Sequence, residues 1–205
     1  REDQLYACLA LIKARKMGPV TWGRILSHYD SPAEALKDWD QWGEKKLVNS
    51  GQMEQFSTRS WEREVLLEME AIQKKNLQVI IWPYEKYPEM LKRISNPPLV
   101  LYYRGDPGLL KSHSLAVVGS RMSSEYGLRM ASEICREMSR KGVTIVSGFA
   151  SGIDRQAHLS AVDGPGGTTA VLGTGIDLVY PAQNTDLWKR IVQKGLIITE
   201  FFPGT

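Results

Sequence analysis

The stretch from Leu115 to Ala161, LAVVGSRMSSEYGLRMASEICREMSRKGVTIVSGFASGIDRQAHLSA, constrains the chain more than any other. It predicts strand, tight polar loop, helix, strand, second Gly-rich loop and helix. Leu115 to Val118 is a short apolar run, as expected of a parallel strand buried on both faces. Gly119-Ser120-Arg121 follows directly, and Ser123 or Ser124 can cap the next helix. Along that helix Leu128, Ala131, Ile134, Cys135 and Met138 share one face. Lys141 and Gly142 close it, a cation in the last turn and then a C-cap glycine. Val143 to Val146 predicts the second strand. Ser147-Gly148-Phe149-Ala150-Ser151-Gly152 is the second loop, and Ile153 to Val162 the second helix. Both loops are expected at the carboxyl edge of one sheet, each feeding a helix N-terminus.

That placement suits an anion. A helix N-terminus offers unpaired N–H groups and a partial positive charge. Glycine lets a ligand approach the backbone, and the fork of Arg121 can grip two phosphate oxygens. Either loop alone is equally explained by a sharp strand-to-helix turn with Arg121 as a solvated charge. Two such loops one βαβ unit apart favour an anion site, because open α/β sheets bind ligands at this edge.

The 205 residues suffice for one large domain or two small ones. A hydrophobic content of 42%, a charged content of 24% and a net charge of +3 exclude a histone-like polycation and permit a local basic patch. The two cysteines, Cys8 and Cys135, both sit in helix-like segments, which favours a reducing compartment over a disulfide. No apolar run is long enough to span a bilayer and no signal-peptide pattern opens the chain, so a cytoplasmic location is expected.

Residues 1–75 read as a helical module. Leu5, Cys8, Leu9 and Ile12 form a first apolar stripe, and Trp22, Ile25, Leu26 and Tyr29 a second. Ser31-Pro32 starts a third helix, with Ser31 as N-cap, Pro32 at the first position and Ala35, Leu36 and Trp39 facing inward. A last helix near 60–75 carries Trp61, Val65, Leu66, Met69 and Ile72. Residues 76–205 read as an α/β domain. Strands are expected at 79–82, 99–103, 168–172 and 196–201, with a turn or short helix at 107–110. Gly173-Thr174-Gly175-Ile176-Asp177 makes a third Gly-rich loop at the same edge, and Asn184 can cap a helix through about Lys194. Strands alternating with helices predict a doubly wound, mainly parallel sheet with right-handed crossovers.

The stretches YPEMLKRISNPPLVLYYRGD, VVGSR, SGFASGIDRQAH, TAVLGTGIDLVYPAQN and LIITEFFPGT, in this order and spacing, resemble the DNA-processing protein A family (DprA, also called Smf). The resemblance covers 82–205, and five motifs in series make it specific. It implies an extended Rossmann-like domain that binds single-stranded DNA, protects incoming DNA in natural transformation and loads the recombinase RecA. It implies no enzymatic activity and no cofactor or metal, and a homodimer for the full-length protein. Carried onto this sequence, the phosphate-gripping loop is Gly119, Ser120 and Arg121, and the second loop is Ser147, Gly148, Ala150, Gly152 and Asp154. In the family the chain continues past the position of Thr205 into a loop, an Arg-Asn-Arg segment and further strands that add DNA contacts and dimer surface. This sequence is therefore expected to be C-terminally incomplete. The N-terminal turn MGPVTWGRIL resembles a helix-hairpin-helix (SAM-like) module, with Val20 where a second hairpin glycine is expected. A packing or interaction role is the plainer reading of that module, with DNA contact as the alternative.

The alternative is a nucleotide-binding or nucleotide-hydrolysing enzyme that uses the same loops. Gly119-Ser120-Arg121-Met122 does not supply the G-x-G-x-x-G fingerprint, and no Walker A motif occurs. Asp154 and His158, at i and i+4, could hold a metal or act as a base with its orienter, but no third ligand matches them. A helix-stabilising pair is the plainer reading. Phe149 and Tyr180 lie in loops from which they could stack on bases, or they could be wall residues. Lys111, Arg129 and Arg155 could widen a positive rim or be ordinary surface charges.

Overall fold

The computed structural model describes residues 2–84 and 86–205. Contacts divide the chain into two compact units, 1–100 and 101–205.

Among its described residues the first unit is helical up to strand β1 (Gln78–Ile81). Helix α1 (Glu2–Lys13) has Glu2 and Asp3 in its first turn and Lys13 in its last, both favourable to the helix dipole. It buries Leu5, Ala7, Cys8, Leu9, Ala10 and Leu11, so it is enclosed on more sides than the single expected stripe. Helix α2 (Pro19–Leu26) starts after Gly18. Helix α3 (Pro32–Lys37) has the cap expected of it, with Ser31 Oγ accepting from Glu34 N at 3.3 Å. Helix α4 (Ser50–Ser57) opens with a capping box between Asn49 and Gln52. Helix α5 (Glu62–Lys74) buries Val65, Glu68 and Ile72 behind Trp61. The steps of four, three and four put Leu66 about 100° off that stripe, and it lies exposed rather than packed. Aromatic rings fill the centre, with Phe56 4.7 Å from Trp42 and 5.0 Å from Trp61. Strand β1 (Gln78–Ile81) and the short helix α6 (Glu89–Lys92) complete this unit.

The second unit is built on strands β2 (Val100–Gly105), β3 (Ser114–Ala116), β4 (Thr144–Ser147), β5 (Thr168–Val171) and β6 (Leu196–Thr199), in the order β2-β6-β5-β4-β3. β3, β4, β5 and β6 are mutually parallel, and β2 joins β6 antiparallel with Tyr102 opposite Thr199. Helices α7 (Glu125–Arg140), α8 (Ile153–Ala161) and α9 (Thr185–Lys194) connect the parallel strands. Each crossover steps the same way along the sheet, so right-handed connections set the three helices side by side on one face. This is the Rossmann-like α/β architecture expected of the sequence. Small residues let the layers close: Cys135 of α7 and Ala157 and Ala161 of α8 pack on Ile145 of β4.

Further local expectations fail in the second unit. β3 is not buried on both faces. It lies at the end of the sheet, paired with β4, and Ser114, Leu115 and Ala116 are all exposed, with Val118 beyond them 78% exposed. On α7 the buried positions are Ala131, Cys135 and Ser139, and Ile134 is exposed. Ser139 is tolerated inside because its hydroxyl donates to the carbonyl of Ala161 at 3.1 Å. Among the described residues no helix is long and apolar enough to cross a membrane.

Candidate functional site

Three loops leave the carboxyl ends of β3, β4 and β5 and converge. The first, after β3, is held to its neighbour before any ligand is considered. Val117 N donates to Val146 O at 2.9 Å, and Ser147 Oγ donates to Val117 O at 2.6 Å. Ser120 closes on itself: its Oγ accepts from Met122 N at 3.1 Å and donates to Met122 O at 2.9 Å. Ser124, not Ser123, is the N-cap of α7, accepting from Gly127 N at 3.2 Å.

The second loop meets the first backbone to backbone. Ile153 N, the first N–H of α8, donates to Ser120 O at 3.2 Å. Gly152 has φ +74°, and a Cβ there would sit 2.2 Å from Ser120 O and 2.7 Å from Arg121 O. A Cβ on Gly119 would sit 2.7 Å from Ile153 Cγ1. These glycines are required by the approach of one loop to the other, whatever binds above them. The α8 N-terminus is accordingly engaged in part by protein: Ser120 O takes one N–H, and Asp154 Oδ2 accepts from Ala150 N at 3.3 Å. The positive charge at this edge is carried by Arg121, exposed and without an ion pair among the described residues.

Above these contacts lies a cleft of about 310 Å³. Arg121 lines it from the first loop, Gly148, Ala150 and Ser151 from the second, Leu172, Gly173 and Thr174 from the third, and Tyr180 and Pro181 from the chain leading to α9. No carboxylate is among its described lining residues.

The segment carrying Tyr180 is tied to the second loop. Gln183 Nε2 donates to Ser151 Oγ at 2.6 Å. Asn184 occupies the N-cap position of α9 but does not cap with its side chain. Its amide instead donates to Phe149 O at 2.8 Å, and its Oδ1 accepts from Arg155 Nη1 at 2.9 Å. Arg155 also pairs with Asp186 at 2.8 Å and holds that carboxyl down to about 2. Arg155 is therefore a brace for the site; Arg129 sits over the ring of Tyr126 at 5.5 Å, and Lys111 is exposed at the end of a short 3₁₀ turn.

Asp154 and His158 do not pair with each other. Thr168 Oγ1 donates to Ile145 O at 2.7 Å, so it accepts from His158 Nδ1 at 2.7 Å. That fixes the proton on Nδ1 and leaves Nε2 buried without a partner among the described residues. Burial pushes the imidazole pKa down to about 3. No group of three His, Cys, Asp or Glu side chains among the described residues could hold a metal ion.

Residues 78–205 match the model of the family described as DNA recombination-mediator protein A. The chain belongs to that family. A Synechocystis relative of the recombination-mediator protein A family, protein Smf, is 34% identical over 209 residues, spanning 96% of this chain and 51% of the relative. The X-ray structure of DNA processing protein A from Streptococcus pneumoniae superposes with a TM-score of 0.80 at 28% identity, over 98% of this chain and 68% of that one. The Helicobacter pylori DNA processing protein A, whose structure addresses its single-stranded DNA binding mode, superposes with a TM-score of 0.56 at 30% identity, over 62% of this chain and 57% of that one. This family member spans about half the length of curated relatives it matches, 51% and 45% in two of them.

Of the residues expected at the site of this recombination-mediator family member, the cleft brings together Arg121, Gly148 and Ala150. Gly119 and Gly152 lie beneath it as spacers, and Ser120 and Ser147 have their hydroxyls engaged by the backbone. Sequence reasoning did not place Ser151, Leu172, Pro181 or the third-loop residues Gly173 and Thr174 in the cleft. The third Gly-rich loop at the same edge was the available signal for the last two.

Proposed function

We propose that this chain binds single-stranded DNA at the Arg121 cleft and forms part of a recombination mediator that protects incoming DNA in natural transformation and delivers it to the RecA recombinase. The observation that carries the reading is an exposed guanidinium, without an ion pair among the described residues, at a cleft whose described lining holds no carboxylate, on the carboxyl edge of a parallel sheet. The family membership and the single-strand binding of the Helicobacter pylori relative support it. In this reading the protein acts by holding the strand rather than by catalysis. The 1–75 helical module precedes a 76–205 DNA-binding domain, and the full-length protein is a homodimer in the cytoplasm.

The test is fluorescence anisotropy of a labelled oligothymidine at two salt concentrations, with a duplex of equal length as control. Tight, salt-sensitive binding to the single strand is expected. Arg121→Ala weakens it and lowers the log–log salt slope by about 0.7, the share of one single-strand phosphate. Binding that survives the substitution with its slope intact would remove the site from this loop.

A further inference from the structure

We propose that Tyr180 is the base platform of the cleft, so that the site takes one nucleotide unit of the strand, its phosphate at Arg121 and its base against the Tyr180 ring. The inference rests on the single-strand reading above. It specifies what that site holds besides phosphate.

Tyr180 and Phe149 are equally suited by position in the sequence, and the fold separates them. Phe149 is fully buried, its ring packed 5.8 Å from Trp188 and 6.0 Å from His158. Tyr180 is 67% exposed and lines the same cleft as Arg121. An aromatic ring left open to water in the same cleft as an exposed arginine that has no ion pair among the described residues provides both elements a nucleotide requires, a π-face and a phosphate grip. The volume of about 310 Å³ falls at the lower end of ligand clefts, roughly 300–1,000 Å³, and suits one nucleotide rather than a run of them.

The platform is also held in place. Pro181 O accepts from Asn184 N at 3.0 Å, the Asn184 amide holds Phe149 O, and Gln183 holds Ser151. The chain carrying the ring and the loop forming the opposite wall are thus fixed to each other before a strand arrives, which limits the ordering cost of binding. A π-face accepts any base, so the contact adds affinity without strong sequence choice.

The test compares oligothymidine with an abasic strand of equal length, at low salt, for this chain and its Tyr180→Ala, Tyr180→Phe and Arg121→Ala variants. The wild type is expected to favour the thymidine strand. Tyr180→Ala is expected to lose between about 5-fold and about 150-fold on that strand, the range of one base–aromatic stack. It leaves the abasic strand unaffected, Tyr180→Phe behaves as wild type, and Arg121→Ala weakens both strands alike. A wild type that does not distinguish the two strands, a Tyr180→Ala loss equal on both or absent from both, or a Tyr180→Phe variant as weak as Tyr180→Ala would overturn the stacking assignment and leave the single-strand reading standing. A wild type that binds neither strand would overturn that reading and this inference with it.

Discussion

The side-chain amide of Asn184 donates to the carbonyl oxygen of Phe149 at 2.8 Å, linking the start of α9 to the loop after β4. Phe149 has φ +63°, a backbone conformation that a bulky side chain rarely adopts. The bond from Asn184 and the burial of the ring against His158 and Trp188 hold it there. Because Asn184 also accepts from Arg155, a single buried amide connects the loop lining the cleft, helix α8 and helix α9.

Asn184→Ala is therefore expected to destabilise the protein by about 1–3 kcal/mol, the cost of leaving a buried carbonyl without its donor. Urea unfolding at neutral pH measures it. Strand binding should weaken in parallel, although Asn184 is buried and does not line the cleft, because the 148–151 wall is then free to relax.

Gly152→Ala tests the approach of the two loops. The added Cβ meets the backbone oxygens of Ser120 and Arg121 at 2.2 and 2.7 Å, and a backbone atom cannot swing aside as a side chain can. The unfavourable φ alone costs on the order of 1–3 kcal/mol. A lower thermal midpoint and weaker oligothymidine binding are expected together. A variant as stable as wild type would show that the loops are not in contact in solution.

His158 gives stability an acid limb. Its pKa falls from 6.5 to about 3 on folding because the ring is buried, so between these values the unfolded chain binds a proton that the folded chain does not. The contribution is fully present above pH 6.5. It is lost as pH falls from there toward 3, at up to about 1.4 kcal/mol per pH unit. His158→Asn is expected to be less stable at neutral pH, since it disturbs the bond to Thr168, yet flatter from pH 6.5 to 5. Urea midpoints across that window for both proteins check it, and parallel profiles would exclude His158 as the source.

Much of this organisation is written locally. Ser31 caps its helix as its position before Pro32 suggests, and of the two serines the sequence offers for α7 it is Ser124 that caps, because a cap bond spans only three residues. The three loops and their shared edge follow from short apolar runs, each followed by glycine and a helix. The choice between Phe149 and Tyr180 was not legible, since both are aromatic residues in loops at the same edge. It was decided by α8 and α9 packing over Phe149. Asn184 had the position and chemistry of an N-cap, and its diversion to Phe149 O depends on a loop 35 residues away.

The sequence by itself determined the alternation of strands and helices, the cap at Ser31, and the glycines where the first two loops turn. These are consequences of backbone geometry and hydrophobic period within a dozen residues. Only the tertiary structure decided that β3 lies at the end of the sheet and that Ile134 faces out while Ser139 faces in. It also decided that Ser120 and Ser147 bond within the protein while Arg121 stays free to meet a ligand. An apolar run reads the same whether one strand or two flank it, and a hydroxyl or a ring reads the same in a wall or a cleft. Which it becomes depends on neighbours that the fold brings in from distant parts of the chain.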